Sequence, residues 1–233
     1  EQNIEYVRQC GAVNAVISAM DFVDADDAKL AHSGGALLSS LVTGEDLTDA
    51  LACMNDDNIS DKKVVQMTAL ISNLALDSDN AMDIVENGGV ETIMKGLSRP
   101  GETAKSASKA LERLAESSVN ASIIVNSGAV EQLTELARNS KNDGAVNAAA
   151  MSALANLTDV DSAIERIVDS GGIELACDAI LANSSSSKLA TMNGLNILEN
   201  IIDNGSTKTS VLVDKGANDA IISALQVSNR IEG

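Results

Sequence analysis

The stretch Gly128–Leu136, "GAVEQLTEL", recurs in altered form as "GAVNAVISA" from Gly11, "GGVETIMKG" from Gly88, "GGIELACDA" from Gly171 and "GANDAIISA" from Gly216. The glycines stand at 11, 88, 128, 171 and 216, so the intervals are 77, 40, 43 and 45 residues, and the first is two periods long. Within it "TGEDLTDALACM" (Thr43–Met54) fits the same frame with Leu47 in the place of Val13, as a degenerate copy. A period near forty residues belongs to a unit that cannot cover its own apolar face and must stack on its neighbours.

Each unit reads as three helical segments. A short one ends at the glycine, as in "NAMDIVENGG" and "NASIIVNSG", where Gly supplies a left-handed terminator and turns the chain. A second runs through the repeated motif with apolar residues at helical spacing, for example Val130, Leu133, Leu136 and Ala137. The third follows a polar turn such as "SRPGE", "NSKNDG" or "NSSSS" and ends in "ALISNLA", "ALERLAE", "SALANLT" or "LNILENI". The expected units are 1–43, a degenerate 44–77, 78–117, 118–159, 160–204 and a partial 205–233, forming a single domain over 1–233.

Composition agrees with an all-helical chain. Of 233 residues 45% are hydrophobic, yet there is one Phe, one Tyr and no Trp, so the core must be built from Ala, Leu, Val, Ile and Met. A single Pro and the scarcity of alternating β-branched runs argue against strands. The net charge of −18 argues against nucleic acid and anionic membranes as partners, since both repel an acidic surface. Cys10, Cys53 and Cys177 are dispersed among apolar residues, which suits buried reduced thiols in a cytoplasmic protein, or one with nuclear or cytoskeletal association, and neither a disulfide framework nor a metal site. No apolar run approaches the roughly 20 residues that cross a bilayer, and no signal peptide is expected.

This arrangement resembles the armadillo repeat family, whose units carry a short helix, a Gly and two longer helices, the last ending in an A-L-x-N-L-A pattern. The resemblance covers essentially the whole chain. It implies an all-α, right-handed superhelical solenoid of about five and a half repeats, a non-catalytic protein-interaction scaffold whose partners are other proteins and which needs no cofactor.

Laid over one another on the Asn of "NL", the third helices align Ser40, Asn73, Arg113, Asn156 and Asn200. The positions one later, two earlier and three earlier hold only apolar residues, among them Leu37, Ile71, Leu111, Leu154 and Ile201, so this stripe is expected to face the core. The Asn position and the one four residues before it (Ala36, Ala69, Lys109, Ser152, Asn196) lie on the opposite stripe. In the family this stripe lines a concave groove. The resemblance therefore makes Asn73, Asn156 and Asn200 candidate clamps for the backbone of an extended peptide, with Ser40, Ser152 and Asn196 beside them. Lys105, Lys109 and Arg113 share the stripe at spacings of four, and against the net charge they point to an acidic or phosphorylated segment.

The nuclear-import adaptors of the family carry a Trp four residues before each clamp. This chain has none, which argues against a nuclear-localisation receptor. The acidic loops Asp24-Ala25-Asp26-Asp27 and Asn55-Asp56-Asp57 are expected at repeat edges, solvating turns. Enzyme chemistry finds no catalytic set: His32 is the only histidine and has no nucleophile motif, "GEDLTDALACMNDD" lacks calcium-loop spacing, and "HSGGA" lacks the context of a phosphate cradle. Alternative readings are a client-binding chaperone of the myosin-folding kind and a structural part of a cytoskeletal or ciliary assembly. The sequence opens inside a first short helix and closes with two of three helices in its sixth unit, so a longer array, or self-association through open ends, is expected.

Overall fold

The computed structural model describes residues 60–75, 78–183 and 188–231, together with Ala15, Leu37, Leu41 and Leu51. Among these residues every regular element is a helix. The twelve helices are α1 (Asp61–Leu74), α2 (Ser78–Glu86), α3 (Gly89–Leu97), α4 (Glu102–Leu114), α5 (Ser118–Asn126), α6 (Ala129–Asn139), α7 (Gly144–Leu157), α8 (Asp161–Asp169), α9 (Gly172–Asn183), α10 (Lys188–Asn204), α11 (Thr209–Asp214) and α12 (Ala217–Ile231). The short, second and third helices of the units at 78–117, 118–159 and 160–204 are thus all present in the expected order. Of the first two units only α1 and single helical residues are described, so most of the degenerate second unit lies outside the described residues.

The chain divides into two compact units, Glu1–Asn120 and Ala121–Gly233. In the first, the third helices α1 and α4 pack along one another and α3 lies on α4. In the second, α6 pairs with α7 and α9 with α10, while α7 packs on α10 and α9 on α12. Among the described residues α4, α7 and α10 each therefore touch their own second helix and a neighbouring third helix within the same unit.

The turn between first and second helices is built as the repeated glycine requires. Gly128 has φ +87° and Gly171 φ +82°, values at which a Cβ is strained, and Gly88 and Gly216 match them. The apolar stripe of the third helices is the core: Leu70, Ile71, Leu74, Ala110, Leu111, Leu114, Ala153, Leu154, Leu157, Ile197, Leu198 and Ile201 are all buried. At roughly 25 cal/mol per Å² of apolar surface removed from water, this stripe is the main source of cohesion between repeats. Leu41 is buried with them, but Leu37, expected on the same stripe, is 48% exposed.

Small residues set the helix spacing. A Cβ on Gly194 of α10 would lie 2.8 Å from Ile180 Cγ1 and 2.9 Å from the Ala176 carbonyl oxygen of α9, so only hydrogen fits at this crossing. The third helix α7 is started by Asp143, whose carboxylate accepts from the Val146 amide at 3.2 Å, and is tied to α6 by Asn147, which donates to the Ala137 carbonyl at 2.8 Å.

Polar ties join residues about one repeat apart in the second unit. Arg166 of α8 donates to the Val125 carbonyl at the end of α5 and pairs with Glu131 of α6 at 3.0 Å. Arg138 donates to the Ser170 carbonyl at 2.6 Å, giving a helix end a cationic partner. Lys141 pairs with Asp178, and Lys215 with Glu174. These pairs are partly exposed, so each contributes only about 0–1 kcal/mol.

The second helix of the last repeat departs from the others. Residues nine positions after the anchor glycine are Leu97, Ala137 and Ile180, exposed by 5%, 0% and 0%, but Leu225 in α12 is 60% exposed. Six positions after it, Met94, Thr134 and Cys177 are buried while Ile222 is 52% exposed. The earlier second helices are each covered by a third helix, and none follows α12 among the described residues.

Candidate functional site

The polar stripe of the third helices forms two separate depressions, one in each unit. In the first unit, a small pocket of about 60 Å³ opens between α1 and α4, with Lys105, Ser106, Lys109 and Arg113 on one wall and Ala69, Ser72 and Asn73 on the other. Residues 105, 109 and 113 come together here because spacings of four stack on one helix face.

The three cations are not equivalent. Lys105 holds the Glu102 carboxylate at 2.6 Å, one turn earlier on α4. Lys109 is exposed and lines the pocket. Arg113 is half-buried and reaches across to α1, where its Nη1 donates to the Ser72 carbonyl at 3.0 Å and to Asn73 Oδ1 at 2.7 Å. Burial of the guanidinium lowers its pKa, partly countered by the charges of Glu112 and Glu116. Asn73 is itself only 5% exposed, and its carbonyl oxygen is taken by Arg113. In this structure Asn73 supports Arg113, whose longer side chain occupies the register that Asn fills in neighbouring repeats.

In the second unit the stripe is richer in Asn and is acidic. Asn156 at the end of α7 and Asn196 and Asn200 of α10 line a shallow depression of about 350 Å³, joined by Asp159, Glu199 and Asp203. Asn196 is exposed, while Asn156 and Asn200 are half-buried. Asn200 donates through Nδ2 to Thr158 Oγ1 at 2.6 Å, which ties α10 to the end of α7 and fixes the amide with its oxygen as the acceptor. One turn later Asn204 donates to Asp161 at 3.0 Å. Ser152 is half-buried on α7. Ser40 lies outside the described residues, as do His32 and the acidic loops at Asp24–Asp27 and Asn55–Asp57.

The carboxylates of Asp159, Glu199 and Asp203 escape a reading that looks only at the Asn register and four residues before it. Glu199 stands three residues after Asn196 and Asp203 three after Asn200, so each shares a helix edge with an Asn, and Asp159 follows Asn156 by three in the turn beyond α7. The Arg113 contact with Asn73 had a visible signal, because the two residues are 40 apart, one full period. Among the described residues no helix is long and apolar enough to cross a membrane.

Comparison with known proteins places the fold. No protein-family profile matches the chain, and no curated protein matches it. Solved structures do. A designed armadillo repeat protein is 17% identical with a TM-score of 0.69, over 94% of this chain and 98% of its own. Another designed armadillo repeat protein, solved in complex with the peptide (KR)4, is 17% identical with a TM-score of 0.63, over 86% of each chain. An engineered protein is 24% identical with a TM-score of 0.67, over 86% of this chain and 83% of its own. With the three-helix units and their glycine turns, these likenesses define an all-α, armadillo-type helical repeat fold.

Proposed function

We propose that this chain is a non-catalytic protein-interaction scaffold that binds an extended segment of another protein along its third-helix faces. The observation that carries the reading is the grouping of Asn156, Asn196 and Asn200 on one open depression, where Asn200 is held by the bond from its Nδ2 to Thr158 Oγ1. An extended backbone presents N–H and C=O groups at regular intervals, and a carboxamide offers one donor group and one acceptor for them. The armadillo neighbour solved with a bound peptide supports the use of this fold for such ligands.

The test is selection of binding peptides from a random displayed library against the 233-residue protein, followed by affinity measurement on Asn196→Ala combined with Asn200→Ala. Selected peptides should lose about tenfold or more in affinity, since each bond to an oriented amide is worth roughly 0.5–1.5 kcal/mol, while the helical circular dichroism stays unchanged. Undiminished binding to the double variant would remove the third-helix face as the site.

A further inference from the structure

The lining of the pocket between α1 and α4 holds three cations and one acid. Lys105, Lys109 and Arg113 stack at spacings of four on one helix, an arrangement of like charges that costs a few tenths of a kcal/mol per pair in an isolated helix. In a chain of net charge −18, with carboxylates abundant, Glu102 is the one acid in the lining of this pocket, and Glu112 and Glu116 act on Arg113 from outside it. Arg113 adds a second cost. Its guanidinium is partly withdrawn from water, and the two acceptors it holds, the Ser72 carbonyl and Asn73 Oδ1, are uncharged. A desolvated cation is stabilised far better by an anion than by neutral acceptors.

The geometry also leaves room for that anion. Both bonds from Arg113 leave through Nη1, which fixes the plane of the guanidinium while its five N–H groups exceed the two in use. Lys109 is exposed at the pocket and makes no ion pair among the described residues. Ser106 adds a hydroxyl to the same wall. About 60 Å³ is the liquid volume of about two waters, and the pocket opens to solvent, so one carboxylate or phosphate group fits once they are displaced.

Glu102 shows what chemistry the pocket accepts. Its carboxylate lines the pocket and holds Lys105 at 2.6 Å, yet the side chain is 61% exposed and sits on the first turn of α4, where it can rotate into solvent at little cost.

We propose that this pocket is an oxyanion subsite that receives an acidic side chain of the bound protein segment, with Lys109 and Arg113 as the main contacts and Glu102 as an internal occupant displaced on binding. The inference rests on the scaffold reading above and adds the chemistry of one position along the ligand. A carboxylate and a phosphate monoester are bound by the same groups, and the experiment separates them.

Three fluorescein-labelled peptides serve as probes in anisotropy titrations at low salt: one alternating Glu and Ala, its Gln/Ala counterpart, and a counterpart carrying a phosphoserine. The acidic peptides should bind more tightly than the Gln peptide by about tenfold, with the stronger of the two identifying carboxylate or phosphate as the preferred source. Lys109→Ala should weaken the acidic peptides by about fivefold, and Glu102→Gln should strengthen them by about threefold, both without effect on the Gln peptide. Both residues are exposed, so neither variant threatens the fold. Unchanged acidic-peptide affinity in both variants would overturn the subsite, and if the Gln peptide still binds, the scaffold reading survives that failure. Absence of binding by all three peptides would overturn both.

Discussion

Ile180→Ala and Leu225→Ala are the same kind of truncation at the same register of two second helices, and the structure assigns them different costs. Ile180 is fully buried, and Gly194 of α10 closes over it so tightly that an added Cβ would stand 2.8 Å from its Cγ1. Removing its outer carbons leaves a void that two helix backbones would have to move to fill. Such truncations cost about 2–5 kcal/mol, and the poor scope for collapse puts this one near about 3.5. Leu225 is 60% exposed, so it retains roughly two fifths of a burial term of about 1.5–3 kcal/mol, with no cavity term. Its loss should cost about 0.6–1.2 kcal/mol. With a urea slope of about 2 kcal/mol per M, the two midpoints should differ by about 1 M. The chain has no Trp and one Tyr, so far-ultraviolet circular dichroism is the natural probe. The slope must be compared between variants because repeat arrays can unfold in stages. Midpoint shifts as large for Leu225→Ala as for Ile180→Ala, unchanged between two protein concentrations, would refute the reasoning, since Leu225 would then be covered within one chain. A Leu225 shift that grows with concentration would instead show that self-association buries it.

Three further outcomes follow from single contacts. Gly194→Ala should destabilise despite the better helix propensity of Ala, because overpacking against Ile180 and the Ala176 carbonyl costs about 1–3 kcal/mol and the propensity gain is only about 1; a raised melting temperature would contradict the close crossing. Burial alone would raise the Glu174 pKa, but the Lys215 hydrogen bond, its backbone contact and the charges of Lys215 and Arg138 together bring it below the ordinary 4.5. The carboxylate therefore adds stability above pH 4.5 that is lost as pH falls through the lower folded value, and Lys215→Met should flatten that part of the acid limb in urea midpoints taken from about pH 5 to about pH 3. Cys177 is 4% exposed, and burial, then the charges of Asp178 and Glu174, push its thiol above the usual value. Iodoacetamide should label it, by peptide mass mapping, only after denaturant is added.

The parts of this molecule that could be read from the sequence are those fixed by backbone geometry and apolar spacing. Gly88, Gly128, Gly171 and Gly216 announce their turns because few other residues accept a positive φ, and Leu111, Leu154 and Leu198 announce the core because a helix repeats its faces every 3.6 residues. The polar face of the third helices was legible as a stripe but not as a set of partners. Whether Asn73 is open or engaged depends on how far the Arg113 side chain reaches across to α1, and no spacing rule encodes a rotamer. The carboxylates at Asp159, Glu199 and Asp203 were hidden for a different reason. Acidic residues are so common in this chain that three of them near the Asn register carry no contrast.

Five of the polar ties between repeats have a shared measure along the chain, the Arg138–Ser170, Arg166–Glu131 and Lys141–Asp178 contacts being shorter. Arg113 meets Asn73 across 40 residues, Arg166 meets Val125 and Lys215 meets Glu174 across 41, Asn200 meets Thr158 across 42, and Asn204 meets Asp161 across 43. Each tie therefore closes a loop of nearly constant length, and the entropic toll of forming it is the same wherever it lies. Contact order, taken relative to chain length, falls as repeats are added, which favours folding that starts at any one pair and spreads to the next. The same constancy gives the gene a freedom that globular folds lack. Duplicating or deleting one period creates a new junction at one place and leaves the contacts of the other repeats as they were, so such a chain can change its length in evolution while rewriting few of its contacts.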